Sequence, residues 1–164
     1  MHRGFSTQNA TVAVFDSHKD VEDRVRQVWQ SGFDLSKLSV AAKERRSGRR
    51  GFAHYGEGGE VKYLGDDAAF WNRMWTALSG WAFLDLPETG PILVAGPLGG
   101  WMAAALDNSL DLGGLSVLGV ALYGLGIPRE LVVAYEASVK AEKLLLVAHG
   151  AASEIARVRE ALAT

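Results

Sequence analysis

The stretch TVAVFDSHKDVEDRVRQVWQSGF, residues Thr11–Phe33, indicates the fold because its hydrophobic spacing changes once along its length. It begins as a short β-branched run, Thr11–Phe15, which is typical of a strand. Three valines then recur at helical spacing: Val21, Val25 and Val28. Ser17 stands where a helix N-cap is expected and Gly32 where a helix ends, so the stretch predicts a strand followed by an amphipathic helix.

The C-terminal part of the sequence repeats this arrangement. A strand pattern, Leu144–Ala148, precedes a helical pattern, and the two superpose without a gap on the first strand and helix. In that superposition Arg157–Arg159 falls on Arg24–Arg26, and both read Arg-Val-Arg. Residues 35–44 predict a second strand, because a helix packed on a sheet usually returns the chain to that sheet. Two strand–helix units separated by a long insertion predict an α+β fold, a ferredoxin-like sandwich.

The predicted sandwich lacks one strand. A ferredoxin-like sheet has a fourth, C-terminal strand, but the pattern is still helical at Thr164. An uncovered sheet edge favours pairing with another segment or chain, and PILVAG, Pro91–Gly96, is the best internal candidate. At 164 residues we expect a single domain, with residues 11–45 and 129–164 as its α/β unit and residues 66–128 as an inserted apolar helical segment.

The insertion is rich in glycine and poor in charge. Apolar residues from Phe70 to Trp81 follow helical spacing. Further on, four leucines form one narrow seam of the kind found at helix–helix contacts: Leu115, Leu118, Leu122 and Leu125. Three glycines recur every five residues: Gly114, Gly119 and Gly124. Because glycine within a helix costs about 1 kcal/mol relative to alanine, we expect a neighbouring backbone to approach closely at these positions.

These features predict a glycine-rich helical hairpin that packs both on its own domain and on a second copy, giving a homo-oligomer. Two alternatives stay open: the hairpin is buried within a monomer, or it dips shallowly into a membrane. Leu112–Ile127 is too short, as a helix, to cross about 30 Å of hydrocarbon. The residues predicted to self-associate are Trp101, Gly114, Leu115, Leu118, Gly119, Leu122, Gly124 and Leu125.

The sequence has one concentration of positive charge. Its members are Lys43, Arg45, Arg46, Arg49 and Arg50. It precedes a predicted β-hairpin formed by Phe52–Tyr55 and Val61–Leu64. The cluster is either a solvated loop or a site for a small anion or a nucleic-acid backbone. The net charge of −2 does not favour a nucleic-acid binder, and we expect no specific nucleic-acid partner.

No set of residues in the sequence has the spacing of a catalytic or cofactor site. The chain has no cysteine, and its histidines lack ligand spacing, so we expect no metal site. His149 and Asp16 occupy matching positions in the two strand–helix units, but the antiparallel strands of a ferredoxin-like sheet would hold them at opposite ends. We therefore expect a structural His149, no cofactor and no enzymatic activity. A chain without disulfides suits the cytoplasm, with a membrane surface as the alternative location.

Several motifs together resemble the bacterial general stress or heat-induced stress protein domain family. They are FW at 70–71, GPILVAGPL at 90–98, GGLSVLGVALYGLGIP at 113–128, YE at 135–136 and KLLLVAHG at 143–150. The resemblance implies a short α/β unit interrupted by a glycine-rich apolar insertion, and a role associated with stress. It implies no reaction and no catalytic residues. The chain departs from the family pattern at LDLPETGP, residues 84–91, and at the polar link DNSLD, residues 107–111.

Overall fold

The computed structural model describes residues 9–44, 52–55, 61–63, 68–78, 80–86, 90–107 and 115–163. Within these ranges the chain forms seven strands and six α-helices. In chain order they are β1 Asn9–Phe15, α1 His18–Gln30, β2 Leu38–Lys43, β3 Phe52–Tyr55, β4 Val61–Tyr63, α2 Ala68–Ala77, β5 Trp81–Leu86, β6 Gly90–Ala95, α3 Leu98–Asp107, α4 Val117–Gly124, α5 Arg129–Lys140, β7 Leu144–Gly150 and α6 Ala152–Ala163.

Five of the strands form one sheet in the order β1-β7-β2-β6-β5. Every neighbouring pair in it is antiparallel. β7 lies between β1 and β2, with Val12 of β1 opposite Val147 and Val40 of β2 opposite Leu146. β3 and β4 form a separate antiparallel hairpin, which confirms the hairpin predicted for this part of the sequence.

Helices cover both faces of the five-stranded sheet. Side chains along a strand point alternately to the two faces, so Leu144 and Leu146 of β7 belong to one core while Leu145 and Val147 belong to the other. Helices α1, α2 and α6 pack in the first core, and α3, α4 and α5 pack in the second. The result is an α+β fold in which an open antiparallel sheet lies between two layers of helices.

The strand–helix units predicted at the two ends of the chain are confirmed. β1 with α1 and β7 with α6 follow the predicted order, and β2 is the strand predicted within residues 35–44. Ser17 is the N-cap of α1, since its side chain accepts a hydrogen bond from the Asp20 amide. The three valines that predict the helix, Val21, Val25 and Val28, are all buried.

The prediction that residues 66–128 are helical is wrong for part of that segment. α2 ends at Ala77, and β5 and β6 follow as an antiparallel pair within the main sheet. Gly80 separates the helix from the strand with a φ of 89°, a conformation that glycine adopts readily. Trp81 continues the helical spacing of α2 in the sequence, but it lies opposite Ala95 in the sheet.

The segment Pro91–Gly96, the internal candidate to cover the open sheet edge, forms a strand as far as Ala95 but does not pair with β1. It contributes β6, which pairs with β2 and carries β5 on its other side. The insertion therefore extends the sheet beyond β2, through β6 and β5. In the part of the chain that the structure describes, β1 remains an edge strand.

Gly96 lies at the turn from β6 into α3, where the chain packs tightly on β2. Its φ is 103°, and a Cβ atom there would collide with the backbone carbonyl of Leu38 and with Ser39. The Ser39 hydroxyl accepts a hydrogen bond of 3.0 Å from the Leu98 amide, which anchors the start of α3. Both the φ angle and the lack of space favour glycine at this turn.

We expect Gly96→Ala to destabilise the protein more than Gly32→Ala does. Both glycines have positive φ, but a Cβ atom at Gly32 would meet nothing within 4 Å. The backbone conformation alone costs about 1–2 kcal/mol for a residue with a side chain, and crowding at Gly96 adds about 1–3 kcal/mol. Urea denaturation of the two variants measures the difference, and equal losses would show that the turn at Gly96 has room to adjust.

Candidate functional site

The leucine seam that predicts self-association faces the interior of this chain. Leu118, Leu122 and Leu125 are buried in the second core, together with residues of the sheet and of α3 and α5. Leu115 and Trp101 are partly buried and pack against the same core. These side chains contact their own domain, so the seam does not present them to a second copy.

Gly119 has a close neighbour, and that neighbour belongs to the same chain. A Cβ atom at Gly119 would collide with the carboxylate of Glu136 on α5. This carboxylate accepts hydrogen bonds from the Ser116 amide at 2.7 Å and from the Ser116 hydroxyl. The same hydroxyl accepts a bond of 3.2 Å from the Gly119 amide as the N-cap of α4. The missing side chain at Gly119 therefore leaves room for the polar link between α4 and α5.

The other two glycines of the five-residue spacing differ from Gly119. A Cβ atom at Gly124 would meet nothing within 4 Å, so this glycine makes no close contact in the described structure. Gly114 lies outside the described residues. The close approach that the spacing predicts is therefore found at Gly119, where the approaching group is a side chain of α5 rather than the backbone of another subunit.

Substituting alanine at Gly119 and at Gly124 is expected to have opposite effects on stability. Gly119→Ala displaces the Glu136 carboxylate from Ser116 and lowers the free energy of unfolding by about 1–3 kcal/mol. Gly124→Ala fills open space at the end of a helix and raises it by up to about 1 kcal/mol. Thermal and urea unfolding of both variants test this. A neutral Gly119→Ala would show that the carboxylate moves aside at no cost.

His149 is buried at the end of β7, with 7% of its surface exposed. Its ring packs edge-to-face on Trp101 of α3, with 4.8 Å between ring centroids. Its Nδ1 atom is buried without a hydrogen-bond partner in the described structure. Asp16 lies at the far end of the β1–β7 pair, where it forms an ion pair with Lys143. The expectation that His149 and Asp16 do not meet is confirmed.

Burial lowers the pKa of His149 below its ordinary value of 6.5, and the positive charge of Lys37 lowers it further. The folded state therefore favours the neutral ring, whereas the unfolded chain takes up a proton near pH 6.5. The contribution of His149 to stability is complete above about pH 6.5. It is lost progressively as the pH falls from that value through the lower folded-state pKa.

We expect the free energy of unfolding to fall between about pH 7 and pH 5 in the wild type and to fall less in His149→Phe. Phenylalanine keeps an aromatic ring against Trp101 and removes the titrating group. Glu154, whose pKa is lowered chiefly by the Ala151 amide and then by Lys37, loses its contribution only at lower pH. Urea denaturation across this range measures both slopes. Identical slopes would show that His149 does not titrate differently in the two states.

The basic cluster lies almost wholly outside the described residues. Lys43 ends β2, while Arg45, Arg46, Arg49 and Arg50 are not described, so anion binding by the cluster stays a prediction. Among the described residues, no group of three or more histidine, aspartate and glutamate side chains is arranged to hold a metal ion. In the same part of the chain, no helix is long and apolar enough to cross a membrane.

An apolar groove of about 720 Å³ lies between α1 and α2. Trp29, which is 62% exposed, forms part of its wall, together with Val25, Leu35 and Met74. At its rim the Arg73 guanidinium donates two hydrogen bonds of 2.6 Å to the Glu22 carboxylate and lowers the pKa of Glu22. The hydrophobic spacing of the sequence does not predict this groove, although Trp29 lies outside the row of buried valines on α1, which indicates an exposed aromatic ring.

The sequence predicts an uncovered sheet edge, and among the described residues that edge is formed by β1. Beside it lies a recess of about 340 Å³ lined by residues 9–12 of β1, residues 125–128, Leu131, Tyr135 and Arg159. Val14 of β1 is 38% exposed and Leu131 of α5 is 47% exposed, so two large apolar side chains lie at the surface beside this edge. The signal in the sequence is the strand itself, NATVAVF, which contains no charged residue.

Comparison with protein-family models, with curated proteins and with solved structures found no match for this chain. The resemblance to the general stress protein domain family stays an expectation based on the motifs quoted above. The functional assignment therefore rests on the geometry of this chain.

Proposed function

We propose that this chain is a non-catalytic domain that acts by associating with a second copy of itself. The observation that carries the proposal is the open edge of β1 with exposed apolar side chains beside it, Val14 and Leu131. Unpaired backbone groups at a sheet edge are a template for another strand, and natural proteins usually protect them. The resemblance to stress proteins supports a role for this association in a stress response.

Three polar side chains that are buried or half-buried make contacts that support a structural role. Ser39 holds the start of α3 through its hydrogen bond to the Leu98 amide. Glu136 links α4 to α5 through Ser116. His149 packs against Trp101, away from Asp16. Ser39 and Glu136 are thus explained by their contacts within the fold, while the buried Nδ1 atom of His149 has no hydrogen-bond partner in the described structure.

The surface used for association differs from the one expected from the sequence. The leucines of α4 contact their own core, and the outward residues among those described in α3 and α4 include Tyr123 and Gly124. The edge of β1 offers unpaired backbone groups as well as apolar side chains. We also interpret β1-α1-β2 and β7-α6 as a ferredoxin-like unit that β6 and β5 extend on one side.

Two alternatives were open from the sequence: an anion or nucleic-acid site at Lys43 to Arg50, and contact with a membrane surface. Of the basic cluster only Lys43 is described, and no contact of the described residues favours an anion there. Self-association therefore remains the proposal that the described geometry supports best, and a chain without disulfides suits the cytoplasm as its location.

The proposal predicts a reversible dimer. Size-exclusion chromatography with light scattering is expected to give a mass that rises from one chain toward two as the protein concentration increases. Leu131→Lys places a charge beside the β1 edge and is expected to shift the equilibrium toward the monomer. A wild-type protein that remains monomeric at every accessible concentration would contradict the proposed function.

Trp29→Lys is the matched control, because Trp29 is also a large exposed apolar residue but lies at the groove between α1 and α2. It is expected to leave the monomer–dimer equilibrium unchanged. If Trp29→Lys weakens the dimer and Leu131→Lys does not, self-association stands and the interface lies at the groove. Circular dichroism of both variants checks that the fold is retained.

A further inference from the structure

We infer that the second copy binds along β1, in an antiparallel β1–β1 pair centred on Val12, so that the two sheets join into one continuous sheet. This inference rests on the proposed self-association and specifies its surface and its register. It follows from the direction of the backbone groups, the composition of the strand, the shape of its flank and the charges at its two ends.

The register of the sheet determines which residues of β1 face outward. The Glu44 amide donates to the Pro91 carbonyl at 2.9 Å. The backbone N–H and C=O groups of even-numbered residues on β2 therefore point toward β6, and those of odd-numbered residues point toward β7. The pairings of β2 with β7 and of β7 with β1 carry this alternation across the sheet. As a result, three residues of β1 have backbone N–H and C=O groups that point away from the sheet: Ala10, Val12 and Val14. Arg159 agrees with this assignment, because its Nη2 atom reaches the Ala10 carbonyl from outside the sheet, at 3.4 Å.

The composition of β1 leaves this edge open to pairing. Edge strands are commonly protected by charged residues, proline or bulges. β1 reads NATVAVF and has none of these in its sequence, and its pairing with β7 is regular over its whole length. β5, at the opposite edge, reads WAFLDL and has a charged residue within the strand. Of the two edges of the sheet, β1 is the one suited to accept another strand.

The outward residues define one best register. With Val12 opposite Val12, Ala10 lies opposite Val14 and Val14 opposite Ala10, so all three outward residues of each copy are paired. A shift by one residue would oppose outward-facing with inward-facing backbone groups, which cannot form a ladder. A shift by two residues would leave one outward residue of each β1 strand without an outward partner on the other. The register centred on Val12 therefore forms the most hydrogen bonds.

The side chains fit this register. Ala10, Val12 and Val14 lie on the same face of the strand, and Ala10 and Val12 pack toward the second core. The exposed Val14 of one copy would lie beside the small Ala10 of the other, where the recess of about 340 Å³ opens between β1 and Leu131. An exposed apolar side chain and a recess that can receive it thus occupy opposite ends of the same strand.

The charges at the two ends of β1 are also complementary. Asp16, with 78% of its side chain exposed, follows the C-terminal end of the strand. Arg159 lies at the other end, beside Ala10. Antiparallel pairing brings Asp16 of one copy next to Arg159 of the other, twice by symmetry. Arg159 would exchange its long contact with the Ala10 carbonyl for this carboxylate, which frees the carbonyl for the ladder.

Single cysteines test the register directly, because the chain has no cysteine of its own. Residues opposite each other in a hydrogen-bonded antiparallel pair have Cα atoms about 5.5 Å apart, within the range of about 4.4–6.8 Å that a disulfide spans. Val12→Cys is expected to form a disulfide-linked dimer with itself under mild oxidation. Val14→Cys alone is expected not to do so, whereas a mixture of Val14→Cys and Ala10→Cys is expected to form a mixed dimer.

The control is Trp29→Cys, which is exposed but distant from β1, and it reports cross-linking by random collision. Three outcomes separate the inference from the proposed function. Val12→Cys cross-linking well above the control supports the β1 pair. A dimer by light scattering in which Tyr123→Cys cross-links and Val12→Cys does not overturns the β1 pair and leaves self-association standing. A monomer at every concentration, with no cross-linking above the control, contradicts both.

A charge exchange gives an independent test. Asp16→Arg is expected to reduce the dimer fraction severalfold, because it faces Arg159 of the other copy. The double variant Asp16→Arg with Arg159→Asp is expected to recover the dimer, while the local contact between position 16 and Lys143 is unfavourable in both variants. A double variant that dimerises no better than Asp16→Arg alone would place the two groups apart and contradict the register.

Discussion

The fold depends on the burial of β7 on both of its faces. All seven residues of this strand are buried, with Leu144 and Leu146 in one core and Leu145 and Val147 in the other. Burying an aliphatic side chain of this size contributes about 1.5–3 kcal/mol to the stability of the folded protein. A fold that left one face of β7 uncovered would therefore lose much of the stability of a small domain. Two layers of helices are therefore required, and the helices of the two strand–helix units, α1 and α6, both lie on the first face.

The glycine-rich apolar insertion supplies what the second face lacks. α3 and α4 come from the insertion and α5 follows it, and together they form the layer over Leu145 and Val147. Glycines allow these short helices to lie close to their neighbours: a Cβ atom at Gly99 would lie 2.8 Å from the Ala82 side chain, and one at Gly119 would meet Glu136. The apolar character that suggests an interface or a membrane in the sequence is thus explained by contact with the chain's own sheet.

Spacing and capping residues predict the elements that depend on neighbouring residues in the sequence. Elements that depend on pairing with a distant strand are not predicted in this way. The valine spacing and Ser17 N-cap predict α1 correctly because both act within a few residues. Trp81 satisfies a helical and a strand pattern equally well, and only its pairing with Ala95 decides between them. In the candidate site, the separation of His149 and Asp16 follows from strand direction alone. The sequence predicts an uncovered sheet edge, but which strand forms it depends on β6 pairing with β2.

The same topology that makes the insertion internal also leaves β1 exposed. Had β6 paired with β1, the sheet would have been extended at that edge, and β2 would have been left unpaired on its outer side. Because β6 and β5 extend the sheet beyond β2 instead, the uncharged strand NATVAVF is left at the edge with Val14 exposed. An edge strand without charged residues, proline or a bulge is a liability for a monomer. In the proposed β1–β1 pair, each copy supplies the hydrogen-bond partners for the outer backbone groups of the other. Neither β1 strand then has an open edge to which a further chain could add.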